Sequence, residues 1–289
     1  MFGKFDYYLL RALTRTTNKY PIKEPTLDGA LQRWEKYSQR WKGKIDLKGK
    51  KVLDFGAGLG ELIVVAKLLG ASKAVGIEND PQRVKVAIEF ITNAGVRVDV
   101  INQDALTYKS NEKFDLILST ECFEHYRDPE FAWETMRDLL APGGKIAVLF
   151  GNSYYGPYFD HMDAMFILPI PYRQIIFNES ALLKISHKIR CSGKYQNSLK
   201  TDDKTRTLIL NKPPASYEDL GLNKISLSRF KNGAKRANLK FTFENENYQF
   251  SEKSILRPLK HFSDILLKIP YVSEFSFVSG AYIVENTIV

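Results

Sequence analysis

Cysteine and long apolar runs are both scarce in this 289-residue sequence. Its cysteines are Cys122 and Cys191, too few for the disulfide framework of a small secreted domain, so we expect a reducing, cytoplasmic compartment. The longest apolar segment, 165–177, contains proline and arginine and is shorter than the roughly 20 residues that span a bilayer. The N-terminal residues lack the uninterrupted apolar region of a signal peptide. The composition therefore excludes a disulfide scaffold and argues against an integral membrane protein.

Positive charge is concentrated in one part of the chain. The sequence has 42 Lys and Arg against 33 Asp and Glu, a net charge of +9. Residues 181–240 hold 14 of the basic residues and only 4 of the acids, so the rest of the chain is close to neutral. Such a basic block is either a solvated surface or a surface that meets an anionic partner.

Short apolar segments alternate with helical patterns in the first half. The helices are marked by N-cap and C-cap residues: Asp80 and Pro81 begin one, Gly95 ends it, and Asp128 begins another. Strands separated by helices predict an α/β fold, a mostly parallel sheet that binds ligands at the carboxyl ends of its strands. The candidate strands are residues 51–55, 73–78, 96–102, 114–119 and 145–150, and a turn is predicted at 141–144.

The second half departs from this alternation. The connection between the fifth strand and the helix predicted at 226–239 is too long to lack structure of its own, and 173–190 supplies one predicted helix with Asn178 as its cap. A strand at 239–245, a helix at 255–269 and a closing strand at 275–288 follow. We divide the chain into an N-terminal helical segment (1–50), a core (51–150), a cap inserted after the fifth strand (151–225) and a C-terminal part (226–289), read as one domain with a cap.

A glycine turn follows the first strand of the core. Asp54 ends the strand, and Gly56, Gly58 and Gly60 allow the backbone to approach a ligand closely at the start of a helix. The dinucleotide fingerprint would need a further glycine where this chain has Glu61. An acid at that point suits a ligand that has no phosphate and carries positive charge.

Two further acids lie at the ends of the next two strands. Glu78 follows the glycine turn at the distance where a carboxylate can accept hydrogen bonds from the two hydroxyls of a ribose. Asp104 ends the third strand, where it can accept from an exocyclic amine of adenine. Together with Asp54, these acids stand in register with successive strand ends, which a chance arrangement rarely produces.

These segments resemble, in order and spacing, the class I S-adenosylmethionine (SAM) dependent methyltransferases with a type 11 methyltransferase domain. The resemblance covers roughly residues 30–150, and it implies a Rossmann-like, seven-stranded sheet whose last strand is antiparallel, with SAM as the cofactor. Its segments are VLDFGAGLG (52–60), GIEND (76–80), NQDA (102–105), FDLILSTECFEHYRDPE (114–130) and LLAPGGKIAVLF (139–150).

The resemblance also implies roles for single residues. Asp54 and the backbone of the glycine turn would hold the methionine part of SAM, Glu78 the ribose, and Asp104 the adenine. Glu121, at the end of the fourth strand, would lie near the sulfonium and the acceptor. The full set implied to bind the cofactor is Asp54, Gly56, Ala57, Gly58, Gly60, Glu78, Asn79, Asp104, Ala105 and Glu121.

Methyl transfer to a hydroxyl needs a base, and histidine suits that role near neutral pH. His161 follows the fifth strand, where acceptors bind in this fold, and is the first candidate, with Asp160 to orient it. His125 is the second candidate, although a role in shaping the cofactor site is favoured for it. A divalent metal held by Asp160, His161 and Asp163 is less favoured, and His187 and His261 are predicted to be structural.

Three apolar or aromatic segments each have two interpretations. The aromatic cluster at 154–159 lines an acceptor pocket or packs the cap, with the pocket slightly favoured. Segment 165–177 and the N-terminal helix are buried against the rest of the domain or touch a membrane surface, and burial is favoured.

The predicted function is O-methylation of a small molecule or saccharide. Nucleic acid is a less favoured acceptor because Ser119-Thr120-Glu121-Cys122 differs from the D/N-P-P-Y-like tetrapeptide that amino-methylating enzymes of this type carry there. The sequence is also compatible with a peripheral enzyme that acts on a lipid-linked saccharide, its basic block facing anionic headgroups. A SAM-binding protein without catalytic activity is the least favoured hypothesis.

Overall fold

The computed structural model describes residues 2–14, 18–19, 24–157, 159–162, 165–167, 170–191, 195–196, 212–248 and 269–287. The chain forms two compact units. The sheet unit comprises residues 24–151, 228–246 and 280–289, and the helical unit comprises residues 1–23, 152–227 and 247–279.

A seven-stranded sheet organises the sheet unit, as the sequence predicts. Its strands are β2 (Lys51–Phe55), β3 (Lys73–Glu78), β4 (Asp99–Asn102), β5 (Phe114–Thr120), β6 (Leu140–Gly151), β8 (Leu239–Tyr248) and β9 (Phe277–Asn286). Their order in the sheet is β4-β3-β2-β5-β6-β9-β8, and the four neighbouring pairs from β4 to β6 are parallel.

Helices connect these strands, which makes the fold α/β. They are α2 (Leu27–Arg40), α3 (Glu61–Leu68), α4 (Pro81–Ala94), α5 (Pro129–Leu139) and α8 (Leu227–Arg236). The helical unit contains α1 (Phe2–Ala12), α6 (Arg173–Ile176), α7 (Glu179–Cys191), α9 (Pro270–Ser276) and a two-stranded sheet of β1 (Asn18–Lys19) and β7 (Tyr195–Gln196).

Capping residues define the helix ends, in agreement with the sequence. The Asp80 carboxylate accepts hydrogen bonds from the first turn of α4, and Gly95 ends that helix in the left-handed conformation with φ +65°. Asp128 caps α5 in the same way. Thr26, which the sequence patterns did not single out, caps α2 by accepting from the Gly29 amide at 3.1 Å. These caps satisfy backbone donors that each helix leaves free at its start.

Aromatic side chains fill part of the core of the sheet unit. Phe150 and Phe230 stack with their ring centroids 4.4 Å apart, and Phe123 lies 4.6 Å from Trp133. Trp41, fully buried after α2, donates from its indole nitrogen to the carbonyl of Val148 at 3.3 Å and of Tyr282 at 3.2 Å. This contact ties the segment before the first core strand to the far side of the sheet.

A buried ion pair lies within the helical unit. The Arg173 guanidinium contacts both carboxylate oxygens of Asp160, at 3.0 and 2.5 Å, and both side chains are about 1% exposed. Arg173 also donates to the Ile170 carbonyl, and the Met162 amide donates to Asp160. Because an unpaired buried charge is costly, this pair holds Asp160 at the start of α6.

Two segments differ from their predictions, and a third lies almost wholly outside the described residues. The predicted turn at 141–144 is part of β6, where the register with β5 jumps from Phe114↔Leu140 to Leu116↔Lys145. The predicted helix at 173–190 is two helices, and Asn178 caps the second by accepting from Ser180. Phe177 is extended between them, which ends α6 after one turn. The predicted helix at 255–269 and His261 lie outside the described residues, apart from Ile269.

The favoured burial of the N-terminal and 165–177 segments is only half correct. Leu10, Met165 and Phe166 are buried, but other apolar side chains of the same segments are exposed, since each segment has apolar residues on more than one face. The exposed ones are Phe5, Tyr8, Leu9, Ile167, Ile175 and Ile176. Within the described ranges, no helix combines the length and the apolar character that crossing a membrane requires.

Candidate cofactor site

The glycine turn between β2 and α3 requires glycine at its first position. Gly56 has φ +101°, and a Cβ atom there would lie 2.6 Å from the Cys122 sulfur. The amides of Gly56 and Ala57 donate to the Ile77 carbonyl at 3.1 and 2.8 Å. These two amides therefore already have backbone partners and are not available to a ligand.

Asp54 is a buried carboxylate below this turn, at 2% exposure. Among the described residues, its Oδ1 atom has no hydrogen-bond partner. Burial, followed by repulsion from Glu78 and Glu61, raises the pKa of Asp54 to about 7. A buried carboxylate with an unpartnered oxygen favours a ligand that brings a cation or a hydrogen-bond donor to it.

Glu78 links the end of β3 to the glycine turn. Its Oε2 accepts from the Gly58 amide at 2.8 Å, and its Oε1 accepts from the Asp80 amide at 2.9 Å. Each carboxylate oxygen can accept a second hydrogen bond. The side chain is therefore fixed in place and keeps the capacity to bind a pair of ligand hydroxyls.

The end of β4 places the residues predicted to meet adenine. The side chain of Asn102 donates to the backbone carbonyls of Glu78 and Asn79, at 3.0 and 3.1 Å, which joins the ends of β3 and β4. Asp104 is exposed and caps a short 3-10 helix by accepting from the Leu106 amide at 3.0 Å through Oδ1. Ala105 behind it is buried. The structure thus brings the acids at three strand ends to one edge of the sheet.

The residues after β5 form a strained turn. Glu121 has φ +54°, a conformation that non-glycine residues rarely adopt, and its amide donates to the Leu149 carbonyl at 2.8 Å. The buried Tyr126 hydroxyl donates to the Phe55 carbonyl at 2.6 Å, so the turn is tied to the strand that precedes the glycines. Glu121 and His125 are both exposed. Strained backbone of this kind is often found at functional sites.

Helix α2 contributes side chains that the sequence patterns did not reveal. Arg33 pairs with Glu61 at 2.8 Å. Burial, and then the nearby Glu121 carboxylate, raises the pKa of the Tyr37 hydroxyl. Burial lowers the pKa of Arg40, which Glu121 also influences. Their spacing of four and three residues along one helix face was the available signal, but it is equally typical of a helix that only packs on the core.

His161, the first candidate base, belongs to the helical unit. It is exposed and has φ +53°. Asp160, the residue expected to orient it, accepts instead from Arg173 and the Met162 amide. Asp163 and Tyr158, which belong to the metal and aromatic-pocket hypotheses, lie outside the described residues.

Residues 30–167 match the model of a family described as a methyltransferase domain. Two similar curated proteins are a ubiquinone biosynthesis O-methyltransferase of Rhizobium johnstonii, 34% identical over 116 residues, and a ribosomal protein L11 methyltransferase of Xanthomonas euvesicatoria, 31% identical over 133 residues. These alignments cover 39% and 42% of this chain and 46% and 40% of the relatives. The chain thus spans less than half the length of each.

Solved structures share the fold at low sequence identity. The PH0226 protein of Pyrococcus horikoshii has a TM-score of 0.52 and 14% identity, with 91% of this chain and 95% of that chain covered. The cyclase SpnF has a TM-score of 0.51 and 12% identity, with 99% and 93% covered. Residues 30–167 of the chain thus match a methyltransferase domain, and the chain shares its fold with the PH0226 protein.

Proposed function

We propose that this protein transfers a methyl group from SAM to a hydroxyl group of a small molecule or saccharide. The observation that carries the cofactor assignment is the buried Asp54 oxygen, which has no partner among the described residues, beside a glycine turn whose first amides are occupied. Both features suit a cationic ligand without phosphate. SAM is such a ligand, because its methionine part carries an ammonium group and a sulfonium.

Each residue of the site has a proposed role in holding the cofactor. Asp54 and the turn of Gly56, Ala57, Gly58 and Gly60 bind the methionine part. Glu78 accepts from the ribose hydroxyls, and Asn79, Asp104 and Ala105 contact adenine. Glu121, exposed on its strained turn, lies beside the reacting groups. The cofactor supplies an activated methyl group, and the protein's task is to orient the acceptor for direct displacement.

We further propose that His161 removes the proton of the acceptor hydroxyl through its imidazole nitrogen. Its exposure leaves the ring accessible, and a general base of this kind contributes about 10² to 10⁴ in rate. His125 is the second candidate. Asp160 accepts from Arg173, so it is not proposed to orient His161.

The name of one relative supports a hydroxyl acceptor. One similar protein is named as an O-methyltransferase of ubiquinone biosynthesis, and another as a methyltransferase of a ribosomal protein. A neighbour in fold is named as a cyclase, so the fold alone does not fix the reaction. A lipid-linked glycan, RNA, a protein acceptor, or binding of SAM without catalysis are the outcomes that the assay must separate.

Titration calorimetry with SAM tests the cofactor assignment, and labelled SAM offered to saccharide, lipid, RNA and protein extracts tests the acceptor. We expect SAM binding in the low micromolar range and label in the saccharide or small-molecule fraction. His161→Ala should lower kcat with little change in SAM affinity, whereas His187→Ala, on α7, should leave both unchanged. No SAM binding by the wild-type protein would contradict the proposal. Label found only in RNA or protein would mean that the acceptor is not a small molecule or saccharide.

A further inference from the structure

One face of α1 is apolar and exposed. Phe5, Tyr8, Leu9 and Ala12 follow the spacing i, i+3, i+4, i+7, which puts them on one side of the helix. Phe5 and Tyr8 are 68% and 66% exposed. Such a stripe normally faces the core, but in α1 it is Leu10, on another face, that is buried.

Two other segments of the helical unit extend this exposed apolar surface. The Ile167 amide donates to the Leu13 carbonyl at 2.8 Å, so exposed Ile167 lies beside the end of α1. The Asp6 carboxylate of α1 accepts from the Asn178 amide at 2.9 Å, just after α6. Ile176 at the end of α6 is 59% exposed. We call Phe5, Tyr8, Leu9, Ile167, Ile175 and Ile176 the apolar face.

Exposed apolar side chains are unevenly divided between the units. Of the 15 large ones in the described residues, 9 belong to the helical unit. Those of the sheet unit, among them Ile88 and Phe131, are spread over four different helices. Isolated exposed apolar residues are normal, whereas a cluster marks an interaction site.

The net charge also differs between the two units. The helical unit has 19 Lys and Arg against 11 Asp and Glu, a net charge of +8, and the sheet unit has 23 against 22. Arg11 on α1 and Lys184 and Lys188 on α7, which packs against α1, are exposed. Exposed Phe, Tyr, Leu and Ile side chains combined with exposed Lys and Arg on α1 and α7 are the features of a protein segment that lies in the headgroup region of an anionic membrane.

We propose that the helical unit binds the surface of an anionic lipid bilayer through the apolar face. Phe5, Tyr8 and Ile176 enter the boundary between headgroups and acyl chains, and the basic side chains attract the anionic headgroups. The binding is peripheral and is independent of which acceptor is methylated.

Flotation with lipid vesicles tests this proposal on the full chain. The wild-type protein should bind vesicles of phosphatidylcholine mixed with phosphatidylglycerol, bind vesicles of phosphatidylcholine alone more weakly, and lose affinity as salt is raised. A Tyr8→Asp/Ile176→Asp double variant should bind the mixed vesicles at least about tenfold more weakly. The matched control, Ile88→Asp/Phe131→Asp in the sheet unit, should stay within about twofold of the wild type. Circular dichroism confirms that both variants fold.

Three outcomes would overturn the proposal. The first is that the wild-type protein binds neither vesicle, and the second is an equal loss of binding in both double variants. The third is a wild-type dimer, detected by sedimentation, that Tyr8→Asp/Ile176→Asp converts to a monomer. That result would assign the apolar face to a second copy of the chain instead of a membrane.

Discussion

The two units of this protein distribute their charged and apolar groups in opposite ways. The sheet unit is nearly neutral, and one oxygen of its buried Asp54 has no partner among the described residues, whereas the buried Asp160 of the helical unit is paired with Arg173. The helical unit carries almost all of the net charge of the chain and exposes large apolar side chains. Buried acids need hydrogen-bond donors or a ligand, whereas clustered exposed apolar and basic groups mark a site that interacts with another surface. The sheet unit therefore has the features of a cofactor site, and the helical unit has the features of an interaction surface.

The boundary between the two units also divides the basic block at 181–240. Its last part, on α8, belongs to the sheet unit, and there Arg229 pairs with Glu130 while Lys231 pairs with Glu244 and Glu246. These cations are engaged within the protein, so they weaken the case for a nucleic-acid surface. Lys235, Arg236 and Lys240 of the block also belong to the sheet unit and are exposed, so exposed cations of the block lie in both units.

The largest effect is expected from the one strongly buried charge pair described in the helical unit. Asp160→Ala leaves the Arg173 guanidinium buried without its carboxylate, so we expect the free energy of unfolding to fall by about 3–5 kcal/mol. Urea unfolding followed by circular dichroism measures it.

The matched control is an exposed pair in the sheet unit. Glu130→Ala removes the partner of Arg229, which is 44% exposed, and should cost under about 1 kcal/mol. If the two variants lose similar amounts of unfolding free energy, burial does not make the Asp160–Arg173 pair more important than the Glu130–Arg229 pair. The contrast drawn between the two units would then be wrong for their ion pairs.

A second substitution tests the sheet unit as the cofactor site. Glu78→Ala removes the acceptor proposed for the ribose and the anchor of the Gly58 amide, so SAM affinity should fall by about 100-fold. Calorimetry measures the change, and Glu112→Ala, at a partly exposed pair with Lys73 in the same unit, serves as the control. Unchanged affinity in Glu78→Ala would remove this residue from the site.

The buried acid of the sheet unit predicts a pH dependence. The folded pKa of Asp54, about 7, lies above its ordinary value, so the neutral form is favoured and ionisation opposes folding as pH rises toward 7. A cationic ligand prefers the ionised form. SAM affinity should therefore be about tenfold weaker at pH 6 than at pH 8, with a proton released on binding below pH 7.

Calorimetry in two buffers of different ionisation enthalpy measures that proton. Asp54→Asn should bind SAM weakly and without this proton release. If the wild type shows the same affinity at pH 6 and pH 8, Asp54 is not the group that meets the cationic part of the cofactor.

The sequence predicts the sheet unit far better than the helical unit, for a physical reason. The strands, their caps and the acids at 54, 78 and 104 depend on local patterns within a few residues. The helical unit is joined by contacts between distant residues, such as Asp6 with Asn178 and Tyr172 with Phe275. Periodicity predicts α1 as a helix with apolar faces, but it cannot say which face is buried, so the favoured burial was correct for Leu10 and wrong for Phe5, Tyr8 and Leu9. The position of α2 beside the acids of the candidate site was missed. Residues that pack a helix onto the core and residues that line a site have the same spacing along the helix.

The smallest expected effect compares α2 with α1. Helix α2 begins at a side-chain cap and buries Ala30, Trp34 and Tyr37, so its position is set by the core and not by a partner. Thr26→Ala should lower the free energy of unfolding by about 1 kcal/mol, and Thr26→Ser should restore most of it. Thermal unfolding with and without SAM measures both. Since Tyr37 lies among the acids of the site, SAM should raise the midpoint of Thr26→Ala by as much as that of the wild type if α2 stays folded. A smaller rise would mean that the helix start contributes directly to cofactor binding.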